Sequence, residues 1–220
     1  MRRSALLLFV IAAVGCQAAP FPRIRVRMYD YTNITQPELE RATSEATKRL
    51  AEAGIISEWV PCRIHSRPVA EPRCDKSFTP SDFVVNILPH GMAARFKQPV
   101  HALAFTAIGS AMSQNWESWI FYDAIRALGE REASTGVLLG GVISHELGHL
   151  LVVSEAHTEA GLMQASWSAQ QLDDLAHGRF RFTPEAMAAM RAGFDRRWDR
   201  SELDQSQAAA HQPGLPQSGH

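Results

Sequence analysis

Residues 145–163 read HELGHLLVVSEAHTEAGLM, and the fold expected for the whole chain depends on how this stretch is read. His145 and His149 are four residues apart, so on a helix they lie on one face about one turn from each other and can offer two ring nitrogens to one ion. Glu146 sits beside them. In metal hydrolases with an H-E-x-x-H helix, that carboxylate takes a proton from the metal-bound water and later passes it to the leaving group. Val142, Ile143, Leu147, Leu150 and Leu151 would bury such a helix and leave a polar stripe aimed into a cleft. A bare H-E-x-x-H also arises by chance on an ordinary, partly exposed helix. Here a third histidine, His157, follows where the helix should have ended and the chain turned back, and Gly161-Leu162-Met163 comes next.

Upstream of the motif, RIRVRMYDY (Arg23 to Tyr31) alternates Ile24, Val26 and Met28 against Arg25, Arg27 and Tyr29, the period of a half-buried strand. Thr35-Gln-Pro-Glu38 has a capping-box pattern with Pro near the first turn, and Leu39, Ala42, Ala46, Leu50 and Ala53 share one face of the helix that follows, up to Gly54. Further strands are expected at Ile55 to Cys62, Asp82 to Leu88, Ala102 to Ile108 and Ser118 to Asp123, separated by Pro and Gly clusters. A helix should cover Ala124 to Glu132, and a strongly apolar one, beginning near Thr135, carries the motif. Downstream, AQQLDDLAHG and PEAMAAMRAGFDRRW read as helices, the second capped by Thr183 with Pro184 at its first position. The last stretch, residues 199–220, lacks periodicity and large apolar groups and reads as a disordered tail.

The chain has 220 residues, 45% hydrophobic and 20% charged, an ordinary balance for one globular domain. Its first residues, MRRSALLLFVIAAVG, pair Arg2 and Arg3 with an apolar run and small residues, the pattern of an export signal over residues 1–15. That run is too short for a permanent membrane span, and no later stretch is read as one. Ala13-Val14-Gly15 before Cys16 resembles the cleavage box of bacterial lipoproteins, in which the new N-terminal cysteine is acylated. Simple secretion with cleavage near Ala18 is the alternative. Contact with a membrane is then expected only through a lipid on Cys16, and the location is the cell envelope or the medium. Cys62 and Cys74 remain as an even pair in an oxidising compartment, able to form a disulfide or to stay as two buried thiols. Losing residues 1–15 leaves 20 basic against 23 acidic residues, a net charge of −3 with His neutral, which does not suit a nucleic-acid partner.

The quoted stretch resembles the metzincin clan of zinc peptidases, whose signature is a long H-E-x-x-H-x-x-G-x-x-H segment followed by a turn with a methionine beneath the metal. The resemblance implies His145, His149 and His157 as zinc ligands, Glu146 as general base and Met163 as the methionine of that turn. It also implies that Ala102 to Ile108 is an edge strand able to pair with an extended substrate. The stretch is similar, too, to that of small exported bacterial proteins with H-E-[IL]-G-H-L-L, a third His, G-[IL]-M and a Trp, here Trp167. That likeness runs from the first strand to Phe194.

The sequence departs from the clan at Val152, where the clan has Gly, and in placing the third His two residues further on. The helix could then run on through Val153, with the extra residues letting His157 swing back. Glu155 stands at the clan's usual third-ligand position and is a possible oxygen ligand, while Asp173, Asp174 or Glu185 would serve in a scheme of two His and one carboxylate. No tyrosine follows Tyr122 to stand near the metal. His65, His90, His101, His177 and His211 lack metal spacing, and Trp116, Trp119 and Trp167 read as core or cleft wall.

The expected fold is α+β and metzincin-like: a twisted mixed sheet with an early helix and the metal helix packed on it, and a helical C-terminal part. The expected catalytic domain spans residues 23–198. The expected function is hydrolysis of a peptide or protein substrate by a zinc-dependent peptidase of the cell envelope, with Zn2+ as cofactor. The alternative is a zinc-containing envelope protein that binds a peptide or protein without cutting it.

Overall fold

The computed structural model describes residues 21–65, 67–99, 101–108, 116–132 and 135–210. The expected signal segment 1–15, Cys16 and residues 211–220 lie outside the described residues. The elements run β1 (Arg23–Asp30), α1 (Gln36–Glu52), β2 (Ile56–Ile64), β3 (Arg67–Pro68), β4 (Asp82–Leu88), β5 (Ala104–Ala107), β6 (Glu117–Phe121), α2 (Tyr122–Glu132), α3 (Thr135–Val152), α4 (Ala169–Ala176) and α5 (Pro184–Ala210), with short 3-10 turns at Pro72–Cys74 and His90–Phe96. The six strands form one mixed sheet in the order β3-β2-β1-β4-β6-β5. The inner four are parallel, and β3 and β5 close the two ends antiparallel to their neighbours. β5 is therefore an edge strand.

Local chemistry explains where α1 begins. The Thr35 hydroxyl accepts from the Glu38 amide and the Glu38 carboxylate accepts from the Thr35 amide, the reciprocal cap that the sequence pattern predicts. Its buried stripe of Leu39, Ala42, Ala46 and Leu50 packs into the main core with Ile24, Val26, Phe83, Val85 and the inner residues of α3. α3 is apolar around most of its circumference, and every residue from Gly136 to Leu151 is buried. By length and composition it passes as a membrane span, which the sequence reading did not assign, but 89% of it is enclosed by the protein itself.

One half of the alternation in β1 differs from expectation. Arg27, placed on the solvent side by the period-2 reading, is 1% exposed. The reason is that β1 lies inside the sheet and its second face is covered by the segment after β3. Carbonyls of Cys74, Lys76 and Ser77 accept from the Arg27 guanidinium at 3.2, 2.8 and 3.2 Å, Asp82 lies 3.4 Å away, and the Phe78 ring sits 4.1 Å below it. A buried cation survives only when it is paired and hydrogen-bonded in this way. Burial works against ionisation of Asp82, yet hydrogen bonds from Thr79 with the Arg27 and Arg25 charges hold its pKa below the usual carboxylate value.

Cys62 and Cys74 are joined by a disulfide, Cα to Cα 5.5 Å, that ties this covering segment to β2. The closed loop spans a sequence separation of 12. Constraining a loop of that size in the unfolded chain contributes about 3 kcal/mol in the chain-entropy model. The double variant Cys62→Ser/Cys74→Ser is expected to lose about that much stability in denaturant unfolding; a loss under about 1 kcal/mol would show that packing around Arg27 holds the segment unaided.

The segment expected to be a disordered tail from residue 199 is helical as far as Ala210. Leu, Glu, Gln and three alanines in SELDQSQAAA are good helix formers, and this propensity favours the continuation of α5.

Candidate metal centre

α3 brings His145, Glu146 and His149 to one side of a cavity of about 820 Å3, and β5 forms the opposite wall. The ring nitrogens are oriented by backbone carbonyls. Nδ1 of His145 lies 2.7 Å from the Leu162 oxygen and Nδ1 of His149 lies 2.8 Å from the Ser154 oxygen. A carbonyl only accepts, so both Nδ1 atoms carry the proton and both Nε2 atoms present lone pairs. These two Nε2 atoms are 3.0 Å apart. Two lone pairs at that distance repel unless a cation lies between them, and nitrogens sharing a tetrahedral zinc at about 2.0–2.1 Å would sit about 3.3 Å apart. The donor set fits a zinc ion. Burial, reinforced by the neighbouring imidazoles and opposed by the Leu162 carbonyl, pushes the His145 pKa down to about 4, and burial also lowers that of His149. Neutral rings are the form that ligates metal at neutral pH.

His157 is exposed and comes from the loop beyond α3. Its ring centroid is 5.3 Å from that of His145 and 4.8 Å from that of His149, and one ligand atom from each of the three lies within 4.8 Å of the others. Glu155 lines the same cavity. Asp173 and Asp174 of α4 are engaged by Arg179, and Glu185 lies in the first turn of α5.

The turn that delivers His157 is built differently from the sequence expectation. α3 stops at Val152, and Val153 takes a left-handed conformation with φ 61°, its amide and that of Ser154 both donating to the His149 carbonyl. A β-branched residue there is strained by about 1–2 kcal/mol. That strained residue sets the direction of the Ser154 carbonyl that orients His149. Val153→Gly is expected to raise stability by about 1 kcal/mol in denaturant unfolding, relief of strain exceeding the added freedom of the unfolded chain; a loss of stability would mean that the valine side chain, 37% exposed, contributes packing that outweighs its strain.

Met163 is buried and packs against Gly148 of α3. Gly148 makes room for it, since a Cβ at 148 would stand 2.5 Å from the Met163 sulfur. The Gly161 before it has φ 73°, and a Cβ there would meet the Arg181 carbonyl at 2.7 Å, so both conformation and space demand glycine in the Gly161-Leu162-Met163 turn. The Leu162 amide donates to that same Arg181 carbonyl, and its own oxygen accepts a hydrogen bond from His145 Nδ1. Trp167 meets the His145 ring edge-on at a centroid distance of 5.8 Å and backs onto Phe180.

No family model matches the chain, and no curated protein matches it in sequence. In structure it is similar to archaemetzincin from Methanopyrus kandleri. The two share 10% identity with a TM-score of 0.49, over 79% of this chain and 96% of that one.

Glu146 is 5% exposed, and burial pushes its pKa up to about 7 against the opposing effect of a hydrogen bond from Thr106. Thr106 is a contact that the sequence reading missed. The strand ALAFTAI was legible, but which of its residues faces α3 depends on where β5 sits in the sheet. Trp119 stacks behind β5 on Phe105 at 4.8 Å, and Trp116 packs against Arg197 at 4.4 Å, both away from the metal ligands.

Proposed function

We propose that the protein is a zinc-dependent peptidase of the cell envelope. The observation that carries this reading is the convergence of three histidine ligand atoms, beside a buried carboxylate, in a cleft bounded by an edge strand. His145, His149 and His157 would hold the ion. When bound, zinc supplies Lewis acidity that polarises a carbonyl and acidifies water. Glu146, with its pKa near neutrality, takes a proton in the attack and returns it to the leaving amine. β5 offers a backbone edge that is unpaired among the described residues, beside Glu146, along which an extended peptide can lie as an added strand. Leu103, Leu128, Val142, Trp167 and Leu172 line the apolar part of the cleft. The export-type N-terminus and the disulfide support an oxidising location outside the cytoplasm.

The test is cleavage of an unstructured peptide library by the zinc-loaded protein, followed by mass spectrometry with and without chelator. Metal-dependent cleavage supports the reading. Stoichiometric zinc with no cleavage of any peptide would favour the envelope protein that binds a partner without cutting it.

A further inference from the structure

Thr106 Oγ1 donates to Glu146 Oε2 at 2.6 Å and lies 3.4 Å from the Glu146 main-chain oxygen. Among the described residues no other side chain hydrogen-bonds that carboxylate. An ionised carboxylate is acceptor-only, so the oxygen bonded to Thr106 is committed. Its other oxygen, Oε1, carries no hydrogen bond among the described residues, and Glu146, 5% exposed, lines the cleft.

The donor itself is held from behind. Phe105, the preceding residue of β5, stacks on Trp119 at 4.8 Å and touches Phe96 and Phe121 with centroids 5.2 and 6.0 Å away. This cluster sits on the opposite face of the sheet from α3 and fixes the depth of β5. Successive strand side chains point to opposite faces, so anchoring Phe105 behind the sheet sets Thr106 in front of it.

We propose that Thr106 is a positioning residue for Glu146: by holding Oε2 it fixes the carboxylate rotamer and leaves Oε1 as the oxygen presented to the cleft. A long, flexible side chain in a largely apolar surrounding would otherwise divide its time among rotamers, and a general base misplaced by an ångström loses much of its effect. The edge strand then has two functions, lining the cleft and aiming the base. The turnover consequence rests on the peptidase reading, whereas the hold on Glu146 does not.

Two measurements separate these. In the metal-free protein, a double-mutant cycle in denaturant unfolding with Thr106→Val, Glu146→Ala and the pair should show coupling: Thr106→Val should raise the unfolding constant about tenfold more with Glu146 present than with Ala at 146. Additive effects would overturn the proposal. In the zinc-loaded protein, Thr106→Val should lower kcat about 10- to 100-fold with KM and zinc affinity near wild type, and Thr106→Ser should recover most of the loss. Wild-type kcat in Thr106→Val, a change confined to KM, or equal impairment in Thr106→Ser would each overturn it. Thr106→Ala replaces the valine variant in both arms if the latter does not fold. If the wild type cleaves no peptide, the peptidase reading falls and the unfolding cycle alone decides whether Thr106 holds Glu146.

Discussion

Glu146→Gln is expected to abolish peptide hydrolysis while zinc stays bound at wild-type affinity. Gln has the same shape, and its carbonyl oxygen can still accept the Thr106 hydroxyl that bonds Glu146 Oε2 at 2.6 Å. The substitution removes only the ability to take up a proton. General-base catalysis is worth roughly 10²- to 10⁴-fold, and the other carboxylate that lines the cavity among the described residues, Glu155, stands exposed on the loop after α3. The loss should fall on kcat, because Glu146 acts in the step and not in holding the substrate. Cleavage of a fluorogenic peptide, with zinc content measured on the same sample, provides the check. Equal activity in the Gln variant would remove Glu146 from the mechanism.

His157→Ala should weaken zinc binding by more than about 100-fold, beyond the 10–100-fold typical of losing an outer hydrogen-bond partner of a ligand. Three protein nitrogens with one open position make a catalytic zinc site, and two leave the ion under-coordinated. The two buried histidines are oriented by Leu162 and Ser154 whether or not His157 is present, so this variant isolates one bond to the metal. Glu155→Ala and Glu185→Ala are expected to stay near wild type. Competition with a chromophoric chelator measures all three. A large loss in Glu155→Ala with none in His157→Ala would replace the three-histidine set by two histidines and a carboxylate.

Much of this arrangement can be read along the chain because it is local. The bounds Asp82 to Leu88 follow from an apolar run between turn residues, the start of α1 from a capping box, and the pairing of His145 with His149 from helical spacing. The sheet order is not local. Nothing in RIRVRMYDY says that β1 lies between β2 and β4 with both faces covered, and so Arg27 was read as exposed. Thr106 was missed for the same reason, since its partner is 40 residues away in sequence and the contact exists only once β5 has been placed. The end of α3 was misjudged by a single residue, because a valine in the left-handed region contradicts the local preference and is held there by the turn around it. The 3-10 turn His90–Phe96 has no clear period and was passed over.

The two carbonyls that orient His145 and His149 also bear on the order of events in assembly. Both belong to the chain after α3, and the histidines they hold stand on a helix buried along its length, so the ligand pair is aligned by the fold of the polypeptide itself. Small zinc domains that have no other core unfold when stripped of metal, because there the metal is the core. Here chelation should leave the near- and far-ultraviolet circular dichroism of the protein unchanged and lower its melting temperature only by the mass-action share of the bound ion. Collapse of the near-ultraviolet signal on chelation would contradict this. On the peptidase reading proposed above, a chain folded in this way would acquire its chemistry only when zinc arrives, which would make metal supply, and not folding, the step that switches it on.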